Sequence, residues 1–171
     1  MNSIQLLREQ FKSAHDAQEA VMKDVTSETA HFDKTNKALP VGAAYAHSVM
    51  CEDIIMSPIL TQKEPVSSAM KTGLSEPIPS MKEWDKHEAW TRSVRVDLPV
   101  FRAYAEAVYK ATDEYLTTLK ESDLDSNVEM HGFGSFKLSF ILTNFFLLHT
   151  ANLTGEISAA KGIQGLKGYP F

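Results

Sequence analysis

The stretch Leu148-His149-Thr150-Ala151-Asn152-Leu153-Thr154-Gly155-Glu156-Ile157 decides how this chain is read. It continues an apolar run from Phe140, so it reads as part of a long buried helix with polar groups set at helical intervals. Two histidines at i and i+4 leave a helix on the same side and can share one cation, but here the i+4 position is Leu153. The stretch therefore specifies a helix and half of a metal site.

Outward from this helix the same periodicity returns. Ile4, Leu7, Phe11, Ala14, Val21 and Val25 predict a first helix from about Ser3 to Thr29, with Gln18 as a lapse on its apolar face. His31 to Pro40, with Asn36, reads as a loop, and Val41 to about Met56 is a second helix rich in Ala and Met. Pro58 is expected to end that helix, because proline lacks a backbone donor and clashes with the preceding turn. About forty residues broken by Pro65, Gly73, Pro77 and Pro79 then make a crossing too long for a bare loop, so a short helix near Lys82 to Arg92, carrying Trp84 and Trp90, is predicted across the other helices. Asp97 caps a third helix with Pro99 in its first turn and Phe101, Tyr104, Val108, Tyr115 and Leu119 on one face. After a polar loop through Gly132 and Gly134, Ser135 is expected to cap the fourth helix, which runs to about Lys161 before Gly162, Gly165 and Gly168.

Composition bounds what such a chain does. With 171 residues it is one domain's worth of chain, 1–171, long enough to bury its own core. It is 43% hydrophobic and 23% charged with a net charge of −5, which is no footprint for nucleic acid. The longest apolar run, Phe140 to Leu148, is far short of the ~20 residues of a membrane span. The single Cys51 and the polar beginning Met1-Asn2-Ser3 predict a reducing, cytoplasmic setting. Four amphipathic helices with a long second connection and no alternating strand pattern predict an all-α four-helix bundle with the crossing between helices 2 and 3. Apolar residues on more than one face of the first and last helices suggest a homodimer.

Leu138, Leu142, Phe145, His149, Leu153 and Glu156 are expected along the inner face of the fourth helix. His47 shares a face of the second with Met50, Cys51 and Ile54. Two inward histidines then come from different helices.

The segments Gly42-Ala43-Ala44-Tyr45-Ala46-His47, Arg102-Ala103-Tyr104-Ala105-Glu106-Ala107-Val108 and Gly155-Glu156-Ile157 with Lys161-Gly162-Ile163-Gln164-Gly165-Leu166-Lys167-Gly168 resemble the DinB superfamily of bacterial four-helix proteins, also called YfiT-like. The resemblance spans nearly the whole chain and is most specific in its last thirty residues. It implies a divalent metal, commonly zinc or nickel, held by one histidine from the second helix and two from the fourth, four residues apart. His47 and His149 match two of these positions, and Leu153 occupies the third.

A catalytic metal keeps three protein ligands and an open position, and two imidazoles alone hold a cation weakly. Cys51, Asn152 and Glu156 are the substitutes the spacing offers, each with a plainer reading: a small buried hydrophobe, a core hydrogen-bonding group and a polar side chain in the last turns. On this basis His47, Cys51, His149, Asn152 and Leu153 line a small pocket in which His47 and His149 are neutral and hydrogen-bonded, around a degenerate metal site. The expected function is binding of a small ligand or a partner, without an assigned cofactor. The alternative is a zinc- or nickel-dependent enzyme of the thiol-dependent transferase or isomerase type that the resemblance implies. His15, His31, His87 and His131 are expected to be solvated bystanders. Trp84 and Trp90 could roof a ligand pocket, but more simply fasten the crossing.

Overall fold

The computed structural model describes residues 1–33, 38–130 and 132–169. Asn36 of the expected first loop and His131 lie outside these described residues.

Helix α1, Ser3–Met22, begins where the Asn2 side chain accepts the Gln5 N–H at 2.8 Å. It buries Ile4, Leu7, Phe11, His15, Gln18, Val21 and Met22. The helix stops about two turns before the expected end, because Thr26 accepts the Thr29 N–H and starts a separate turn, α2, Ser27–Ala30. Two polar residues on the buried face also depart from the sequence reading. Gln18 is no lapse: its amide donates to Ser48 Oγ at 2.9 Å and accepts from the Tyr109 hydroxyl at 3.0 Å. His15 is buried as well and is no solvated bystander.

Helix α3, Val41–Ile55, is buried at every residue through Asp53. Its small residues permit this. A Cβ on Gly42 would lie 3.1 Å from the Ala30 carbonyl oxygen and 3.2 Å from the Ala30 Cβ, so glycine is what lets α2 lie against α3. Pro58 does not end the helix. The backbone widens into a π-helical stretch, Met56–Thr61, and stops only at Gln62, whose φ of 56° is left-handed.

The crossing is tied down along its length. Asp53, buried in α3, accepts the N–H groups of Val66 at 2.8 Å and Ser67 at 3.0 Å and the Tyr104 hydroxyl at 2.7 Å. Further on, a 3₁₀ turn at Met81–Lys86 leads into helix α4, His87–Ser93, whose Trp90 is buried. Helix α5, Leu98–Thr118, follows the predicted cap: Asp97 accepts from the Val100 N–H.

A short antiparallel hairpin precedes the last helix. Strands β1, Asn127–Met130, and β2, Gly134–Lys137, pair Asn127 with Lys137 and Met130 with Gly134. Ser135 is therefore a strand residue and not a helix cap. Gly132 and Gly134 take φ values of 89° and 102°, which turn the chain back on itself. With four residues per strand, the hairpin is too short to carry an alternating pattern legible against its surroundings.

The final rod starts at α6, Leu138–Phe140, widens into a π-helix at Ile141–Leu148 and continues as α7, His149–Ile163. This widening shifts the buried face. Leu138, Leu142, Phe146 and Thr150 succeed one another in steps of four, and the ordinary helical steps resume at Leu153, Ile157 and Ala160. Phe145 is consequently only half-buried, and Glu156, expected inside, is exposed.

Helix α3 packs on α5 and α7, and α1 packs on the same two helices. One core cluster gathers Tyr45, Phe101, Tyr104, Leu153 and Ile157, and a second gathers Leu7, Phe11, Leu116, Leu142 and Phe146. The chain is thus predominantly helical with one two-stranded sheet among the described residues. No helix among them is long and apolar enough to cross a membrane.

Candidate metal centre

Helix α3 and the start of α7 bring the expected pair together. His47 Nε2 lies 3.0 Å from His149 Nε2, so one ring donates to the other. Cys51, one turn after His47, places its Sγ 3.7 Å from His47 Nδ1 and 3.9 Å from Nε2. The ligand atoms of His47, Cys51 and His149 lie within 4.8 Å of one another, a grouping that could hold a metal ion.

The remaining expected residues divide. Leu153 is buried in the core cluster one turn beyond His149 and contributes only hydrocarbon. Asn152 is exposed, because the phase set by the π-helix turns position 152 outward, and it does not join the cluster.

A third histidine does join. His87, from the crossing, sets its Nε2 2.9 Å from His47 Nδ1 and is therefore no bystander. Its ring stacks on Trp84, centroids 4.2 Å apart and planes 18° from parallel. The 3₁₀ turn explains this: at three residues per turn, positions i and i+3 eclipse, so Trp84 and His87 stand one above the other. The sequence signal was Trp84-x-x-His87-x-x-Trp90, which becomes legible only when that turn is known to be 3₁₀. Trp84 itself stays partly exposed, whereas Trp90 is buried and fastens the segment.

The electrostatics follow from burial. His47 is driven down to about 3, first by loss of water and then by the charges that His149 and His87 would carry. Burial lowers His87 as well. It also lowers His149, with Glu52 pulling weakly the other way. Burial pushes the Cys51 thiol up to about 12. At neutral pH the three imidazoles are thus uncharged and the Cys51 thiol is protonated, which makes it inert as a nucleophile. A divalent cation would find the imidazoles free of competing protons and would displace only the thiol proton.

Behind the cluster, Glu52 is buried and was not singled out by the sequence. It is hydrogen-bonded to His15 Nε2 at 3.0 Å and accepts from the Thr112 hydroxyl. Tyr109 stacks on His15 at 3.8 Å, and both rings line a groove of about 510 Å³ with Phe11 and Arg8. His31 is structural: its Nε2 accepts the Val96 N–H at 2.9 Å, and its Nδ1 donates to the Ser27 carbonyl at 2.7 Å.

No family model and no curated protein matches the chain. A crystal structure of a conserved protein of a locus from Enterococcus faecalis superposes with a TM-score of 0.81, covering 96% of this chain and 99% of that one at 19% identity. This likeness shows a shared fold, not a shared activity.

Proposed function

We propose that this protein is a divalent-metal-binding four-helix bundle of the DinB type, in which His47, Cys51 and His149 hold a zinc-class ion. The donor separations carry the reading. Nitrogens that share a zinc at about 2.0–2.1 Å, with sulfur at about 2.3 Å, stand roughly 3.0–3.4 Å from each other and about 3.6 Å from the sulfur. The corresponding distances here are 3.0 Å between the two Nε2 atoms and 3.9 Å from Cys51 Sγ to His47 Nε2. Two imidazoles and a thiolate are a donor set of zinc character. The bundle assignment is supported by the closed ring of contacts among α1, α5, α3 and α7. The DinB assignment is supported by the resemblance at His47 and His149, with Cys51 supplying the donor absent at Leu153.

Three protein ligands leave one position for water or substrate, and a metal held this way acts as a Lewis acid toward whatever binds there. The enzymatic form of the reading is a thiol-dependent transfer or isomerisation, a part that rests on the resemblance alone. The test is the metal content of the protein after chelator treatment and reloading. One zinc or nickel per chain, lost in the Cys51→Ala and His149→Ala variants, is expected. A chelator-treated protein that takes up neither metal at micromolar concentration sinks the proposal.

A further inference from the structure

Resting on that metal-binding reading, we propose that His87 is a positioning residue for the centre, accepting a hydrogen bond from His47 Nδ1–H and so presenting His47 Nε2 to the metal. The argument begins with the proton count on one ring. A neutral imidazole carries one N–H, and whichever nitrogen lacks it is the metal ligand. His47 has both nitrogens engaged, Nε2 with His149 at 3.0 Å and Nδ1 with His87 Nε2 at 2.9 Å. Cys51 and His149 form a metal-capable grouping with His47, and Nε2 is the His47 nitrogen beside His149, with Cys51 Sγ 3.9 Å away. Bonding of Nε2 to a cation leaves the proton on Nδ1, where His87 Nε2 at 2.9 Å is a nearer and stronger acceptor than Cys51 Sγ at 3.7 Å. His87 must then carry its own proton on Nδ1.

Such outer partners fix the tautomer and ring orientation of a ligating histidine. His87 suits the task because it is itself held. Its ring is stacked on Trp84, it lies 5.5 Å from the Trp90 ring, and Trp90 is buried. The crossing between α3 and α5 thereby has a use beyond connection: it delivers an acceptor to the far side of a ligand held by α3. His87 Nε2 faces Nδ1, not the shared space, which separates this role from that of a third metal ligand.

The test compares the natural protein with His87→Phe, which keeps a ring against Trp84 but no acceptor, and His87→Gln, which restores a carbonyl oxygen. Zinc affinity is measured by chelator competition, and the nitrogen-15 shifts of the His47 ring are read in the zinc-loaded proteins. Loss of the acceptor should weaken zinc about 10–100-fold. The Gln variant should recover most of that loss, and His47 in the natural protein should show a protonated Nδ1 and a metal-bound Nε2. Equal affinity in natural and Phe proteins, or a metal bound through His47 Nδ1, overturns the proposal while leaving the metal centre standing. Failure of the natural protein to bind zinc removes the centre and the positioning role together. Should the Phe variant not fold, the ring shifts of the natural protein decide alone.

Discussion

His47 and His149 are separated by 102 residues in sequence, yet their Nε2 atoms lie 3.0 Å apart. Nothing local imposes this. It arises because α3 and α7 pack together and because the π-helix at Ile141–Leu148 sets the phase in which α7 begins. The two nitrogens stand at hydrogen-bonding distance, and the proposed metal site would use the same pair as ligands.

The contribution of the thiol is separable from that of the imidazoles. In the cobalt-loaded protein a thiolate ligand gives a sulfur-to-metal charge-transfer band in the near ultraviolet, and Cys51→Ser should abolish it. Loss of a ligand exceeds loss of an outer partner, so zinc affinity should fall by more than about 100-fold. A cobalt spectrum without that band in the natural protein would show that Cys51 stays protonated and outside the centre.

Leu153 offers the complementary experiment. It is buried one turn beyond His149, and i and i+4 side chains on a helix stand about 6 Å apart. Leu153→His should raise zinc or nickel affinity by adding an imidazole, with the gain lost when His47 is also changed to Ala. The cost is a destabilised metal-free protein, by about 2 kcal/mol, because a polar ring replaces core hydrocarbon. Calorimetry on chelator-treated samples that finds equal affinity in the natural and variant proteins would place residue 153 outside the reach of the metal.

Asp53 holds the crossing to the core, and its removal strands several donors at once. The N–H groups of Val66 and Ser67 and the Tyr104 hydroxyl all end on this carboxylate. Asp53→Ala should lower stability by at least about 3 kcal/mol, since each buried unpaired group costs on the order of 1 kcal/mol or more. Urea denaturation measures it. A loss below 1 kcal/mol would mean that water replaces the carboxylate and that the crossing is held mainly by Trp90.

The extent to which these features are legible in the sequence differs by residue. Periodic burial announces Leu7 and Phe11 in α1 and Phe101, Tyr104 and Val108 in α5, because regular helices repeat their contacts. His47 and His149 could be paired from two helix faces and a family resemblance. The exposure of Asn152 and Glu156 could not be read, since a π-helix shifts the phase and leaves no compositional mark. His87 and His15 escaped for a different reason. Each is engaged by a partner distant in sequence, Trp84 packing aside, and a histidine beside charged residues looks solvated until Glu52 or His47 arrives from α3. The hairpin was missed because strands of four residues offer too few alternations, and only Gly132 and Gly134 hinted at a turn.

Acid stability tests the one buried lysine of the last helix. Lys161 is 2% exposed, and its ammonium donates to the Val21 carbonyl at 2.6 Å and to the Asp24 carboxylate. That hydrogen bond holds Asp24 below its ordinary value of 3.8. An acid whose folded value is depressed contributes stability above its unfolded value, and the contribution is lost as pH falls through the folded one. The loss from this pair therefore lies in the window below about pH 4, and it is small, at most about 1 kcal/mol, because the Asp24 side chain is 58% exposed and screened by solvent. Asp24→Asn should accordingly lower stability near neutral pH by that amount and flatten the acid limb of the curve. Lys161→Met should behave differently, remaining within about 1 kcal/mol of the natural protein or exceeding it, since an apolar side chain of similar length removes a buried charge together with its desolvation penalty. Urea midpoints measured at intervals between about pH 2 and pH 7 for the three proteins check both expectations. An Asn variant whose acid limb runs parallel to that of the natural protein would show that Asp24 titrates identically folded and unfolded, and that the Val21 carbonyl, not the carboxylate, holds the lysine in place.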